Sequence, residues 1–418
     1  MGRRGKAAAL KLAAVSSEQK NRALNAMADA LEKNQARIIA ENEKDMTKAK
    51  ADGLSAAMLD RLKLDAKRVS AMAEGIRSVA KLADPVGEHI RDWTRPNGLR
   101  IEKVRVPLGL VGIIYESRPN VTADSASLCL KAGNACLLRG GSESLHSNLA
   151  IATVMSNAVK SAGLPEHAIQ LVPITDRAAV MEMAGMDKYL ACIVPRGGKG
   201  LISAVMENAT VPVIKHLDGI CHVFVDKDAD LGMAEKIVIN AKCQRPGVCN
   251  AMETLLIHQD VAPKFLPLIA KNLIDHKVEL RLDPKSESML KGNGSRLKSP
   301  LLRKAKEADW TTEYLDLILS VRVVDSLDQA IEHINHYGSA HSDSIVTKND
   351  ESATRFLREV DSATVYHNAS TRFTDGAEFG MGAEIGISTD RIHARGPMAL
   401  EELTTYKYLI HGSGQVRE

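Results

Sequence analysis

Apolar residues recur every three or four positions from residue 17 to 82, as in NRALNAMADALEKNQARIIAENEKDMTKAK, with Lys, Glu and Arg between them. That spacing predicts a run of amphipathic helices, a cap and not a catalytic centre. The period then changes. DWTRPNGLRIEKVRVPLG sets the turn signal Pro96-Asn97-Gly98 between segments of alternating and β-branched character, which reads as a hairpin. After Pro107 short apolar runs and helical patterns alternate: GLVGIIY, ADSASLCLKAG, NACLLRGG, SLHSNLAIATVMSNAVKSAGL, AIQLVPI, RAAVMEMAG, YLACIVPRGG, KGLISAVMENA and PVIKHL, with helices ending at Gly133, Gly163 or Gly185. Apolar strands punctuated by amphipathic helices predict a parallel sheet covered on both faces, and so a doubly wound nucleotide-binding domain. The pattern restarts after Asn240 with ETLLIHQDV, APKFLPLIAKNLIDH, VELRL, DLILSVRVV, SLDQAIEHINHYG and HSDSIVTKN, a second α/β domain. The polar stretch DPKSESMLKGNGSRLKSP reads as a surface excursion, and no internal repeat or low-complexity tract interrupts the series.

Composition supports a chain that buries large cores: 418 residues, 44% hydrophobic, enough for two or three domains. The charge of +3, from 55 basic and 52 acidic residues spread along the whole length, implies no dedicated nucleic-acid or anionic-membrane surface. No apolar run approaches a membrane span. The start, MGRRGKAAALKLAAV, is basic then apolar, but Lys11 breaks the run, against a secretory signal, and Gly2 lacks the downstream Ser or Thr of a myristoylation site. Cys129, Cys136, Cys192, Cys221, Cys243 and Cys249 form no CxxC pair and no Cys/His cluster along the sequence, so a disulfide framework and zinc are not expected. A reducing cytoplasm fits.

Two glycine loops, VPRGGKGLI and LRGGSESLHSN, follow apolar strands and precede helices, where free backbone N–H groups favour phosphate. Neither is a Walker loop or GxGxxG, so a phosphate cradle and a tight strand-to-helix turn both remain open. Arg139 and Arg196 beside those glycines favour the anion. The stretch QRPGVCNAMETLL poses a sharper question. Cys129, Cys136, Cys192 and Cys221 lie in or beside apolar runs and read as inert small hydrophobes. Cys249 instead follows Gly247 in a loop before a strand, where backbone N–H groups favour a thiolate and can hold an oxyanion. One thiol with no defined partner leaves both the nucleophile and the packed residue open.

Larger blocks carry a likeness. GVCNAMETLL, IIYESRPNVTADSASLCLKAGNACLLRGGSESLHSN, AIEHINHYGSAHSDSI and NASTRFTDGAEFGMGAEIGISTDRIHARGPMALEELTTYKYL together resemble the glutamate-5-semialdehyde dehydrogenase (gamma-glutamyl phosphate reductase) family of the aldehyde dehydrogenase superfamily. The likeness covers nearly the whole chain. It implies an aldehyde dehydrogenase-like α/β fold of two doubly wound domains and a small β oligomerisation element. The parts are expected as an NADPH-binding domain over residues 1–95 and 107–240, a catalytic domain over 241–395, and the oligomerisation element over 96–106 and 396–418.

It also implies a reaction in proline biosynthesis: reduction of L-glutamyl 5-phosphate by NADPH, with Cys249 as nucleophile, a thioester intermediate and phosphate released. Asn120 in SRPN and the Cys249 backbone N–H are the implied oxyanion donors. Arg139, Gly197 and Gly198 match cofactor contacts, and Glu313 in EYLDL matches the glutamate that holds the nicotinamide ribose, although its flanking residues depart from the family pattern. Arg118, Arg372, Arg391 and His393 match substrate-binding positions, and each of the last two can equally pin its own loop. Hydrolytic relatives carry a water-activating glutamate where this chain has HLDGIC, with His216 and Asp218, which suits a reductase that preserves its acyl-enzyme. His216 reads either as a proton donor or as a packed histidine, and His341 with Ser342 has no assigned role. The hairpin and the ELTTYKYLIHG strand, unable to bury a face alone, predict a homodimer or dimer-based oligomer. The resemblance also implies glutamate 5-kinase, the source of an unstable acyl phosphate, as a partner. A general NAD(P)-dependent aldehyde dehydrogenase and a non-catalytic nucleotide-binding scaffold stand as the alternatives.

Overall fold

Ser16 starts the helical cap with a reciprocal capping box, its hydroxyl accepting from the Gln19 N–H while the Gln19 side chain accepts from Ser16 N. The structure, a computed structural model, describes residues 1–292 and 297–417. Helices α1 (Gly2–Leu12), α2 (Ser17–Lys33), α3 (Gln35–Ala51), α4 (Ala56–Leu62) and α5 (Ala66–Lys81) come first. Ala23, Leu24, Met27 and Leu31 form the buried stripe of α2, at the helical spacing of the sequence. There follow β1 (His89–Thr94), β2 (Arg100–Pro107), β3 (Leu110–Tyr115), α6 (Asn120–Lys131), β4 (Ala135–Arg139), α7 (Leu145–Ser161), β5 (Ile169–Leu171), α8 (Ala178–Ala184), β6 (Cys192–Arg196) and α9 (Lys199–Asn208). Next come β7 (Cys221–Val225), α10 (Leu231–Cys243), β8 (Met252–His258), α11 (Ala262–Asp275), β9 (Glu279–Leu282), α12 (Pro284–Gly292), β10 (Leu302–Lys304), β11 (Ile318–Val324), α13 (Leu327–Tyr337), β12 (Ser342–Val346), α14 (Asp350–Glu359) and β13 (Thr364–His367). The chain ends through β14 (Gly386–Ser388), β15 (Gly396–Met398) and β16 (Thr404–His411).

The chain divides into two units. Met1–Lys215, Gly380–Ile387 and Pro397–Glu418 make the first, and His216–Phe379 with Ser388–Gly396 the second. The first holds a parallel sheet of order β5-β4-β3-β6, in which every residue of β3 and β4 is buried. Succession from β3 runs to β4 on one side and to β6 on the other, so the strand order reverses there. In an open parallel sheet that reversal leaves a crevice outside the carboxyl ends of the two strands. The same unit carries an antiparallel sheet, β1-β2-β16, in the expected hairpin arrangement with the C-terminal strand added along β2.

The second unit is a seven-stranded parallel sheet, β10-β9-β11-β8-β7-β12-β13. Phe265, Leu266 and Ile269 of α11 pack with Val238 and Ala241 of α10 against Val223, Leu255, Ile257 and Val321 on one face. On the other, Phe356 stacks on Phe224 at 6.4 Å among Ile331, Ile334 and Ile345. Helices thus cover both faces, which is why β8 reads as an unbroken apolar run and is buried throughout.

Three local expectations change. Residues 216–240, assigned from sequence to the first domain, belong to the second unit, because β7 pairs with β8 on one edge and β12 on the other. PVIKHL contributes one isolated bridge, Val213 to Ile193, and no strand. The polar excursion at 283–300 includes α12, which buries Ser286 and Leu290, while residues 293–296 lie outside the described residues.

Candidate active site

The crevice of the first unit is lined by the turns and helix starts at the carboxyl ends of β3, β4 and β6. Ser117, just past β3, has a left-handed φ of 46° and gives both its N–H and its hydroxyl to Glu143 Oε1, at 2.5 and 2.7 Å. Asn120 opens α6, and its Nδ2 donates to Asp124 Oδ2 at 2.9 Å, which orients the amide while leaving its second N–H available. Burial pushes the Asp124 carboxyl up to about 6, against the lowering effects of the Asn120 hydrogen bond and the Arg196 charge. Arg118 is half-buried in the same turn.

Arg139 ends β4 with only 7% of its surface exposed. Its Nη2 donates to Thr175 O at 3.0 Å and its Nε has no hydrogen-bond partner. Burial depresses its pKa, with Glu143 and Glu116 opposing. At the head of α9 the Gly198 N–H donates to Glu116 Oε2 at 3.0 Å, so an internal carboxylate answers the anion-seeking end of the helix. Gly197 permits that approach, since a Cβ there would lie 2.5 Å from the same oxygen. A reversal crevice, an arginine with an orphaned buried nitrogen and a glycine-headed helix together fit a nucleotide.

Cys249 lies in the second unit at the amino ends of its strands, opposite to the edge that open parallel sheets usually offer to ligands. It sits in the turn closed by Ala251 N to Val248 O at 3.0 Å, half-exposed, three residues before β8. Three other amino ends hold the turn. The Cys221 thiol, at the start of β7, donates to Cys249 O at 3.2 Å. Gly219 lies against the Cys249 backbone so closely that a Cβ there would be 2.6 Å from the Cys249 carbonyl carbon. Gly219 N in turn donates to Glu313 Oε1 at 2.9 Å, and Ile220 N to Ser339 Oγ at 2.8 Å. Glu313, matched by resemblance to a ribose contact, here braces the segment behind the thiol.

Two imidazoles border the sulfur. One ligand-capable atom from each of His216, Cys249 and His341 lies within 4.8 Å of the others. The two rings meet edge to face at 5.4 Å. His341 is fully buried, with Nδ1 at 2.8 Å from Ser342 Oγ and Nε2 without a partner. Ser342 Oγ continues to Thr364 and Thr374 at 2.9 and 2.7 Å, and Tyr366 OH meets Thr374 at 2.7 Å. Burial pushes the Tyr366 phenol up to about 12, so the chain of hydroxyls carries no charge near neutrality.

The segment after β13 closes on the same turn. Asn250 Nδ2 donates to Thr374 O at 2.9 Å, and Thr371 Oγ1 donates to Asn250 O at 2.8 Å. Arg372 Nε donates to Gln244 Oε1 at 2.9 Å. Burial and the neighbouring Arg245 lower the Arg372 pKa while Cys249 and Asp375 oppose, so the Arg372 guanidinium feels the sulfur and has Arg245 as its own neighbour. Arg391, by contrast, is exposed and paired with Asp361, which Arg395 also grips at 2.8 Å. His393 follows with a φ of 73° in the same exposed loop.

A buried ion pair staples the ends of the Cys249 loop. Lys242 Nζ, before it, lies 2.6 Å from Glu253 Oε2, after it, and neither side chain is exposed. Burial pulls both groups toward neutrality, Glu253 up to about 7 and Lys242 downward. The other thiols sort by burial as the sequence implies: Cys129, Cys136, Cys192 and Cys221 are buried, with Cys192 pushed up to about 12, and only Cys243 and Cys249 reach the surface. Burial also raises the Cys243 thiol.

Sequence reasoning names His216 and His341 without joining them to Cys249, and passes over Arg245, Gly219 and Glu116. Arg245 stands in the stretch QRPGVCN, four residues before the thiol, and its charge is the available signal.

The aldehyde dehydrogenase family model matches residues 3–289 and 304–408. The gamma-glutamyl phosphate reductase of Heliobacterium modesticaldum is 56% identical over 416 residues, covering 100% of this chain and 98% of that protein. That of Moorella thermoacetica is 57% identical over 417 residues, with the same coverage of 100% and 98%. The crystal structure of gamma-glutamyl phosphate reductase from Thermotoga maritima superposes with a TM-score of 0.96 at 47% identity, covering 100% of this chain and 99% of that one.

Proposed function

The chain belongs to the aldehyde dehydrogenase family, and we propose that it reduces L-glutamyl 5-phosphate to L-glutamate 5-semialdehyde, a step of proline biosynthesis, through a thioester on Cys249. The observation that carries the reading is a half-exposed thiol flanked by His216 and His341 and accompanied by Arg245 and Arg372. The imidazoles give the thiol proton a place to go. The thiolate attacks the acyl carbonyl, the carbon–oxygen bond to phosphate breaks, and phosphate leaves with the bonding electrons. Guanidiniums suit that leaving group and the substrate's carboxylate, since they bind either in two-point fashion. A bound nicotinamide nucleotide supplies the hydride that reduces the thioester carbon. Rupture of the carbon–sulfur bond then frees the aldehyde and restores the thiolate. The Cys249 N–H and Asn120, its amide oriented by Asp124, are the candidate oxyanion donors.

The nucleotide in this reading is NADPH, held by Arg139, Gly197 and Gly198. The support is the buried guanidinium with an unused Nε, a group suited to a 2′-phosphate. Glu116 must release Gly198 when a phosphate takes the helix head. Glu313 is assigned to support of the Gly219 segment, with the ribose contact as its second candidate role. Arg118 and Arg372 are the substrate cations, and Arg391 and His393 belong to a loop tied to Asp361. The protein is read as a homodimer or dimer-based oligomer, because β16 exposes Tyr406, Tyr408 and Ile410 at 49%, 51% and 61%. Glutamate 5-kinase is the partner whose product the enzyme consumes. No helix among the described residues is long and apolar enough to cross a membrane, and free cysteines suit the cytoplasm.

The test runs the reaction backwards. Glutamate 5-semialdehyde, in equilibrium with its cyclic form, should reduce NADP only when inorganic phosphate is present. Equal rates with and without phosphate, giving free glutamate, would refute the proposal.

A further inference from the structure

We propose that Cys249, His216 and His341 form a site for one borderline or soft divalent cation, Zn2+ foremost, whose binding withholds the thiol from substrate and so inhibits the enzyme reversibly. The three residues come from separate segments, before β7, before β8 and before β12, and only the strand order β8-β7-β12 brings them together. Their ligand atoms lie within 4.8 Å of one another. Bonds of about 2.3 Å to sulfur and about 2.0–2.1 Å to nitrogen set tetrahedral edges of about 3.3–3.6 Å. Closing the set therefore takes about an ångström of movement. His216 and Cys249 are both half-exposed, so the movement falls to their side chains, whereas His341 is fixed in the core.

His341 supplies the independent sign of a ligand. Its ring is wholly buried, its Nδ1 is taken by Ser342 Oγ at 2.8 Å, and its Nε2 meets no hydrogen-bond partner. Buried polar atoms are nearly always satisfied, so an orphaned imidazole nitrogen beside a thiol and a second imidazole points to a cation as its partner. The tautomer in which Nδ1 donates to Ser342 Oγ leaves the lone pair on Nε2, the arrangement by which metal-binding histidines are oriented from behind. Thr364 and Thr374 then hold Ser342.

The donor set decides the ion. One sulfur and two imidazole nitrogens suit Zn2+, Cd2+ and Co2+ and offer nothing to Mg2+ or Ca2+, which require oxygen. Binding exchanges the Cys249 thiol proton for the metal and involves no electron transfer. A thiolate and two neutral imidazoles leave the complex with one positive charge, and Arg372, which acts on Cys249, adds to it. The fourth position therefore favours an anion over water. Repulsion and slack geometry together limit affinity, which suits a reversible inhibitory site and not a structural one.

The site is tested on the full chain, stripped with a chelator, with Co2+ as the probe and no substrate present. Co2+ titrated to saturation should give a near-ultraviolet sulfur-to-cobalt charge-transfer band together with tetrahedral visible bands at a stoichiometry of one, and Zn2+ should abolish both. Cys249→Ser should remove the charge-transfer band. His341→Gln and His216→Gln should each weaken Zn2+ by at least about tenfold. Should the buried His341→Gln fail to fold, the half-exposed His216→Gln decides. Zn2+ in excess should also inhibit turnover saturably and in competition with the acyl phosphate, with recovery on adding chelator, and Mg2+ or Ca2+ should do neither. Absence of the charge-transfer band, or a Zn2+ affinity unchanged in the folded histidine variants, overturns the site. The inhibition arm rests on the catalytic reading and the cobalt arm does not, so failure of one is distinguishable from failure of the other.

Discussion

Gly219→Ala is the smallest change that should disarm the thiol without touching it. The added Cβ would run into the Cys249 carbonyl oxygen and lie 2.5 Å from the Cys249 Cα, whereas ordinary contact between carbon atoms begins near about 3.5 Å. More than about 1 Å must be found somewhere. The Gly219 side is held by Glu313 and, one residue on, by Ser339. The Cys249 side is held by the turn from Val248 to Ala251, by the Cys221 thiol and, through Asn250, by Thr371 and Thr374. With both sides tied, the strain is shared and the sulfur moves by a sizeable fraction of an ångström. A misplacement of about 1 Å at a reacting atom costs about 10²-fold in rate, equivalent to about 2.7 kcal/mol in the barrier. Overpacking against backbone should cost stability at or above the upper end of about 1–3 kcal/mol. The assay is kcat in the phosphate-dependent reverse reaction, with NADPH binding by fluorescence as the control for folding. A variant with kcat within about threefold of the parent and unchanged nucleotide binding would show that the turn accommodates the methyl, and that the close approach does not position the sulfur.

Cys249→Ala should lose several orders of magnitude in turnover while NADPH binding stays intact; retention of more than about a tenth of the activity, a loss of only about 1.4 kcal/mol, would rule out the covalent route. Arg139→Ala should weaken NADPH far more than NADH in equilibrium titrations, and equal losses would remove Arg139 from the 2′-phosphate. Asp124 has its folded-state pKa raised from 3.8 to about 6 by burial, so the stability gained by keeping its proton is full below about 4 and lost as pH rises through about 6. Denaturant titrations of Asp124→Asn should therefore show a variant that outlasts the parent above pH 6, by at most about 3 kcal/mol, and no difference between pH 4 and pH 7 in that comparison would refute the shift. Truncation before Tyr406 removes most of β16, the long partner of β2, and light scattering should find monomer or aggregate; a truncated chain of unchanged mass and activity would sink the proposed assembly.

Most elements are legible in the sequence because apolar periodicity reports the local surroundings of a residue. The runs GLVGIIY and ETLLIHQDV read as buried strands, and they are β3 and β8. Which sheet a strand joins is another matter. CHVFV is as apolar as its neighbours, and nothing local says that it will lie between β8 and β12, so sequence alone puts the boundary after residue 240 instead of after 215. The missed part of the candidate site has the same origin. His216, Cys249 and His341 are far apart in sequence, and their meeting depends on the order of three parallel strands. Cys249 itself is singled out by its motif and by the contrast with four thiols in apolar runs, a contrast that burial reproduces. α12 escapes notice because its apolar stripe is thin, with Leu290 its buried hydrophobic residue. The Glu116 carboxylate at Gly198 is invisible for a simpler reason: a glycine loop signals that an anion is wanted there, and not which one.

The sulfur's place at the amino ends of the second sheet also divides the pressures on that unit by direction. Gly219, Cys249, Glu313, Ser339 and His341 all precede their strands. The opposite rim, where exposed Gln259, Asp260, Asp325 and Lys348 follow β8, β11 and β12, carries none of the groups around the thiol. That rim is therefore the place to graft a handle or a fusion partner, since its exposed loops lie at the far end of the strands from the thiol.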